Sequence, residues 1–92
     1  MKKAAKLIVH GTVQGVFYRR FCKENADELD IRGFVRNLDN GDVEIVAEGD
    51  GKAIKSYIEK IKKGPPHAQI RNVYVEEKKF SGDYFELRIL RF

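Results

Sequence analysis

Two glycines four residues apart, with a single arginine four residues beyond the second, form the stretch of this chain best suited to chemistry. They lie in Val9-His10-Gly11-Thr12-Val13-Gln14-Gly15-Val16-Phe17-Tyr18-Arg19. The apolar start reads as a strand, the glycines as a tight loop, and a helix is expected to begin near Tyr18 or Arg19. Gly11 and Gly15 permit backbone conformations closed to other residues and a close approach to a ligand, so several N–H groups of the Gln14, Gly15, Val16, Phe17, Tyr18 and Arg19 segment can face one point. An anion placed there would meet those donors, the positive end of a helix dipole, and a guanidinium able to grip two oxygens at once. Phosphate is the expected ligand.

Taken alone, Gly-x-x-x-Gly between a strand and a helix is ordinary turn chemistry. It is not a Walker A loop, because no Gly-Lys-Ser/Thr follows, and Gly51-Lys52-Ala53 lacks the hydroxyl. Nor is it a Gly-x-Gly-x-x-Gly dinucleotide fingerprint. The second residue with chemical promise is Asn37, inside the strand-like Phe34-Val35-Arg36-Asn37-Leu38, where a buried amide without a partner would be costly. A neutral asparagine cannot act as a base, but its amide can orient water. Arg20 and Arg36 flank these residues in sequence and read as solvated charge. His10 and His67 match no metal-ligand spacing, and Cys22, the one cysteine, reads as a small buried apolar residue. No metal or other cofactor is expected.

The elements that must position these residues follow from periodicity. Lys6 to Val13 is rich in β-formers and reads as the first strand. Apolar positions 18, 22, 26 and 29 recur at helical spacing from Tyr18 to Leu29. Gly33 reopens an extended segment, and Asp39-Asn40-Gly41-Asp42 is a strong hairpin signal ahead of Val43 to Glu48. Gly49-Asp50-Gly51 is expected to break the sheet. The stripe at 54, 57, 58 and 61 defines a second helix stopped by Gly64-Pro65-Pro66, with Lys52, Lys55, Lys60, Lys62 and Lys63 on its wet face. Ala68 to Lys78 alternates again, Ser81-Gly82-Asp83 turns the chain, and Phe85, Leu87 and Ile89 are expected to line a last strand. The order β-α-β-β-α-β-β is the split βαβ plan of an α+β, ferredoxin-like sandwich: a mostly antiparallel five-stranded sheet with two helices on one face.

Composition sets the bounds. Ninety-two residues, 42% hydrophobic and 11% aromatic, make one domain with one economical core, residues 1-92. No apolar run approaches the roughly 20 residues needed to cross a bilayer. The Met1-Lys2-Lys3 start leads into mixed polar sequence rather than a signal peptide. With a single cysteine, this makes the cytoplasm the expected address and leaves no membrane partner. Eighteen Lys and Arg against 14 Asp and Glu give a formal charge of +4, an excess suited to small anions and too dispersed to point to nucleic acid.

The motif Gly11-x-Val13-Gln14-Gly15-Val16-x-Tyr18-Arg19, followed by Gly33-Phe34-Val35-Arg36-Asn37-x-x-x-Gly41-x-Val43-x-x-x-x-x-Gly49, resembles the two signatures of the acylphosphatase family. The second matches at every position. The later helix, the Gly64-Pro65-Pro66 break and the Ser81-Gly82-Asp83-Tyr84 turn are also similar, so the resemblance covers nearly the whole chain. One departure is Tyr18, where the family usually has phenylalanine; its hydroxyl either faces solvent or touches ligand. The resemblance implies an acylphosphatase that hydrolyses acyl phosphates to carboxylate and inorganic phosphate. The loop amides and Arg19 would hold the phosphoryl group and Asn37 would position the attacking water. It also implies small-molecule partners, an acyl phosphate and inorganic phosphate; the chain is expected to act as a monomer, although no residue pattern fixes its oligomeric state. A rival reading is an RNA-recognition domain, which shares the split βαβ plan and a start like Arg32-Gly33-Phe34. That match fails at Val35, Arg36 and Asn37, and Val43 to Glu48 carries no aromatic platform for bases.

Overall fold

A computed structural model describes residues 1–91, with Val16 described by its backbone alone. The elements run β1 (Lys2–Thr12), α1 (Val16–Glu28), β2 (Arg32–Asn37), β3 (Val43–Asp50), α2 (Gly51–Lys63), β4 (Gln69–Lys78) and β5 (Leu87–Ile89). They form the expected α+β, ferredoxin-like sandwich with the sheet order β4-β1-β3-β2-β5. Every neighbouring pair is antiparallel except β2 with β5, which is parallel.

The pleat separates two faces. Leu7, Val9, Val35, Val43, Ile45, Ala47 and Leu87 point to one side and join Tyr18, Cys22 and Ala26 of α1 and Ile54, Tyr57 and Ile61 of α2 in a single buried cluster. Both helices therefore cover the same face. The 18, 22, 26 spacing on α1 and the 54, 57, 61 spacing on α2 are what place those side chains on one stripe each. A buried bond from the Tyr57 hydroxyl to the Cys22 carbonyl, 2.9 Å long, ties the two helices together. The Asp50 side chain caps α2 by accepting from the Lys52 N–H at 3.1 Å. Gly64, with φ 70°, ends that helix behind the basic residues Lys60, Lys62 and Lys63. No helix among the described residues is long and apolar enough to cross a membrane.

Four expectations need correction. The first strand starts at Lys2, because Lys2 and Lys3 pair with Asp50 and Gly49. For the same reason Gly49 and Asp50 extend the sheet rather than break it: β3 is central, and its β1 ladder runs on after its β2 ladder has ended at Glu48. Helix α1 begins at Val16, ahead of Tyr18, because Gly15 itself takes the cap position. Phe85 does not line the last strand and is 93% exposed. The connection of residues 79–86 has to pass from one edge of the sheet to the other, and it is pinned on the way by the buried Glu48 carboxylate. That carboxylate accepts from the Ser81 N–H, the Ser81 hydroxyl and the Gly82 N–H. Regular pairing starts only at Leu87.

Candidate active site

The loop between β1 and α1 is shaped by its two glycines for different reasons. Gly15 has φ 115° and ψ 167°, a region closed to side-chain-bearing residues, although a Cβ there would meet nothing within 4 Å. Gly11 answers to packing: a Cβ would sit 2.0 Å from the Gln69 carbonyl of β4. The close approach that Gly11 makes in the fold is to a neighbouring strand. Helix α1 starts with no side-chain cap and no acidic residue in its first turn. Its first N–H groups and the positive end of its dipole are thus met by no carboxylate from its own first turn.

A pocket of about 400 Å³ opens beside this loop, lined by Gln14, Arg19, Asn37, Leu38, Asp39, Leu90 and Arg91. Arg19 projects from the end of the first turn of α1, and its Nη1 donates to the Leu90 carbonyl at 3.0 Å. Its Nε is buried without a partner among the described residues. With Nη1 committed, the Nε and Nη2 edge is the two-donor fork left for an oxyanion. Asn37 is the last residue of β2, on the same face as Val35, and its Oδ1 is likewise buried without a partner. Of the three buried side-chain polar atoms without partners among the described residues, one donor and one acceptor belong to Arg19 and Asn37, and the third is the Tyr18 hydroxyl.

Gln14 spans the gap between loop and hairpin. Its Nε2 donates to the carbonyls of Leu38, at 2.8 Å, and Asp42, at 3.3 Å. The side-chain amide is thus spent on the protein itself. Phe17 is 80% exposed and its ring stands away from the pocket lining. The Tyr18 hydroxyl neither faces solvent nor lines the pocket: the residue is 3% exposed, packs against Phe21 with ring centroids 5.9 Å apart, and has a buried hydroxyl without a good partner. Burial holds its pKa far above the usual tyrosine value, and the neighbouring Cys22 adds to the shift. Burial also pushes the Cys22 thiol up, which matches an inert apolar role. The side chain of Val16 lies outside the described residues. Arg36 is on the opposite face of the sheet, its Nε 2.6 Å from the Glu44 carboxylate.

Of the expected site residues, the fold brings Gln14, Arg19 and Asn37 to one pocket. Sequence reasoning missed Leu38 and Asp39 in the hairpin and Leu90 and Arg91 after β5. The hairpin pair adjoins Asn37, so its nearness was legible. No pattern in the chain announces that Leu90, 71 residues beyond Arg19, supplies the carbonyl that seats the arginine.

The chain is thus a split βαβ sandwich with an uncapped helix start, a forked arginine and an asparagine around one polar pocket. Comparison with known proteins identifies its family. The family model described as Acylphosphatase matches residues 5–87. An acylphosphatase of Methylococcus capsulatus is 39% identical over 89 residues, which cover 97% of either chain. An acylphosphatase of Thermotoga maritima is 47% identical over 75 residues, covering 82% of this chain and 83% of its own. The crystal structure of acylphosphatase from Bacillus subtilis has a TM-score of 0.91 at 35% identity, covering 99% of this chain and 100% of that one. The chain belongs to the acylphosphatase family, a family of hydrolases.

Proposed function

We propose that this chain hydrolyses the carboxyl–phosphate bond of small acyl phosphates without a metal ion, with the Gln14–Arg19 segment as the phosphoryl cradle and Asn37 as the residue that orients water. The observation that carries this reading is the pairing of the unpartnered Arg19 Nε with the unpartnered Asn37 Oδ1 at one pocket beside an uncapped helix N-terminus. The backbone N–H groups at that N-terminus and the free edge of Arg19 hold the phosphoryl oxygens. The Asn37 oxygen accepts a hydrogen bond from the attacking water.

Water adds to phosphorus, the bond from phosphorus to the carboxyl oxygen breaks, and a carboxylate leaves. The conjugate acid of that leaving group has a pKa of about 4, so its departure needs no general acid. A pocket lined by no histidine suits such a reaction. Charge in a phosphoryl-transfer transition state gathers on the equatorial oxygens, and fixed donors stabilise it without reorganising. The water's proton passes to a phosphate oxygen of the substrate. No cluster of three or more His, Cys, Asp or Glu side chains able to hold a metal occurs among the described residues.

The deciding measurement is turnover of benzoyl phosphate in excess EDTA. It should match turnover without chelator, with inorganic phosphate as a competitive inhibitor and simple phosphate monoesters hydrolysed poorly, because an alkoxide leaving group needs the missing acid. Loss of activity in EDTA with recovery on adding Mg²⁺ would sink the metal-independent mechanism.

A further inference from the structure

We infer that Asp42 and His10 are positioning residues that clasp the Asn37 side of the pocket to the phosphate loop. The inference rests on the catalytic reading of Asn37 given above. The turn after Asn37 is already closed by its own backbone, with Leu38 N–H donating to the Asp42 carbonyl at 2.8 Å and Gly41 N–H to the Leu38 carbonyl at 3.2 Å. On top of that closure, residues from the far side of the loop hold the turn twice. The Gln14 amide grips the carbonyls of Leu38 and Asp42. The His10 Nδ1 lies 2.7 Å from the Asp42 carboxylate Oδ1, while Asn40 Nδ2 reaches Oδ2 at 3.2 Å.

A single residue of the hairpin, Asp42, is therefore held through its main chain by Gln14 and through its side chain by His10, at the two ends of the same 10–14 segment. An ionised carboxylate only accepts hydrogen bonds, so His10 carries its proton on Nδ1 and donates it. Neither His10 nor Asp42 lines the pocket. Their effect reaches the chemistry through the turn: the clasp sets how far Asn37, on the hairpin, stands from Arg19, on the helix. Displacing a reacting group by about 1 Å costs as much as about 10²-fold in rate. Seating the phosphoryl group depends chiefly on Gly15, the start of α1 and the Arg19–Leu90 bond, none of which the His10–Asp42 contact itself touches.

The test compares His10→Leu, Asp42→Ala and His10→Asn, whose amide nitrogen falls where Nδ1 of histidine stood. The first two should lower kcat on benzoyl phosphate by about tenfold, with the inhibition constant of inorganic phosphate changed less than about twofold, and His10→Asn should recover most of the loss. Unchanged kcat in folded His10→Leu, or a loss that His10→Asn fails to recover, overturns the inference. A readout without turnover is hydrogen exchange at the Leu38 and Gly41 amides, which should quicken in His10→Leu while β3 stays protected. Unaltered exchange at both amides would refute the clasp. A wild-type protein inert on benzoyl phosphate would sink the catalytic reading instead, and the exchange result would then decide the clasp by itself.

Discussion

Arg19 is seated by one of its nitrogens and keeps a two-donor edge free, which makes its shape as consequential as its charge. In Arg19→Lys a point charge replaces the planar fork and the tie to Leu90 is lost together with it. Phosphate binding measured by calorimetry should collapse, and kcat/KM should fall at least about 100-fold, while the circular dichroism of the fold is unchanged. Retained activity would move the anion site to another cation, with Arg91 of the pocket lining the next to test. Asn37 makes the complementary case. If its oxygen orients water, Asn37→Ala should leave phosphate affinity nearly unchanged and lower kcat by roughly 10²- to 10³-fold, about 3 to 4 kcal/mol. A residue that only shapes the turn predicts the reverse, a lower melting temperature with kcat preserved in the folded fraction.

At the scale of elements, β5 is the weak point. It is three residues long, sits at an edge, and carries into the pocket the carbonyl that seats Arg19. Helix α1 holds it by two cations one turn apart. Arg19 reaches Leu90, and Lys23 donates to the Leu87 carbonyl at 2.9 Å while pairing with Glu86 at 3.1 Å. The i, i+4 spacing puts both on the side of α1 that faces the strand. Lys23→Met should therefore cost about 1 kcal/mol of stability. It should also weaken activity although Lys23 does not line the pocket. Activity and melting temperature both equal to wild type would show that β2 pairing alone holds β5.

For the molecule as a whole, the core brings together three neutral acids, Tyr18, Cys22 and Tyr57, whose pKa values burial raises above ordinary values of 10.0, 9.0 and 10.0. Once the pH passes those ordinary values, the unfolded chain releases protons that the folded one retains. Stability is thus complete below about pH 9 and falls as pH rises, by up to about 1.4 kcal/mol per pH unit for each group. Guanidinium melts from pH 7 to 11 check this, and a flat profile above pH 9 would mean that the groups are open to solvent. Tyr18→Phe should flatten part of the slope. It should also add about 1 kcal/mol at pH 7, because the tyrosine hydroxyl is buried without a good partner.

Much of this was legible before the chain was folded. The order of elements, the apolar stripes of α1 and α2 and the hairpin at Asn40-Gly41 are local patterns, written in spacing of two or of three to four residues. What failed was also local in kind but overruled by tertiary pairing: Gly49 and Asp50 stay in the sheet because Lys3 and Lys2 lie opposite them, and Phe85 leaves it because Glu48 pins the crossing segment. Tyr18 falls on the apolar stripe by spacing, yet only the packed core settles where its hydroxyl goes. The seat of Arg19 on Leu90 and the clasp of Asp42 by His10 and Gln14 join residues 71, 32 and 28 positions apart. Such contacts leave no periodic trace, because side-chain period reports which face a residue occupies and not which distant backbone will be waiting there.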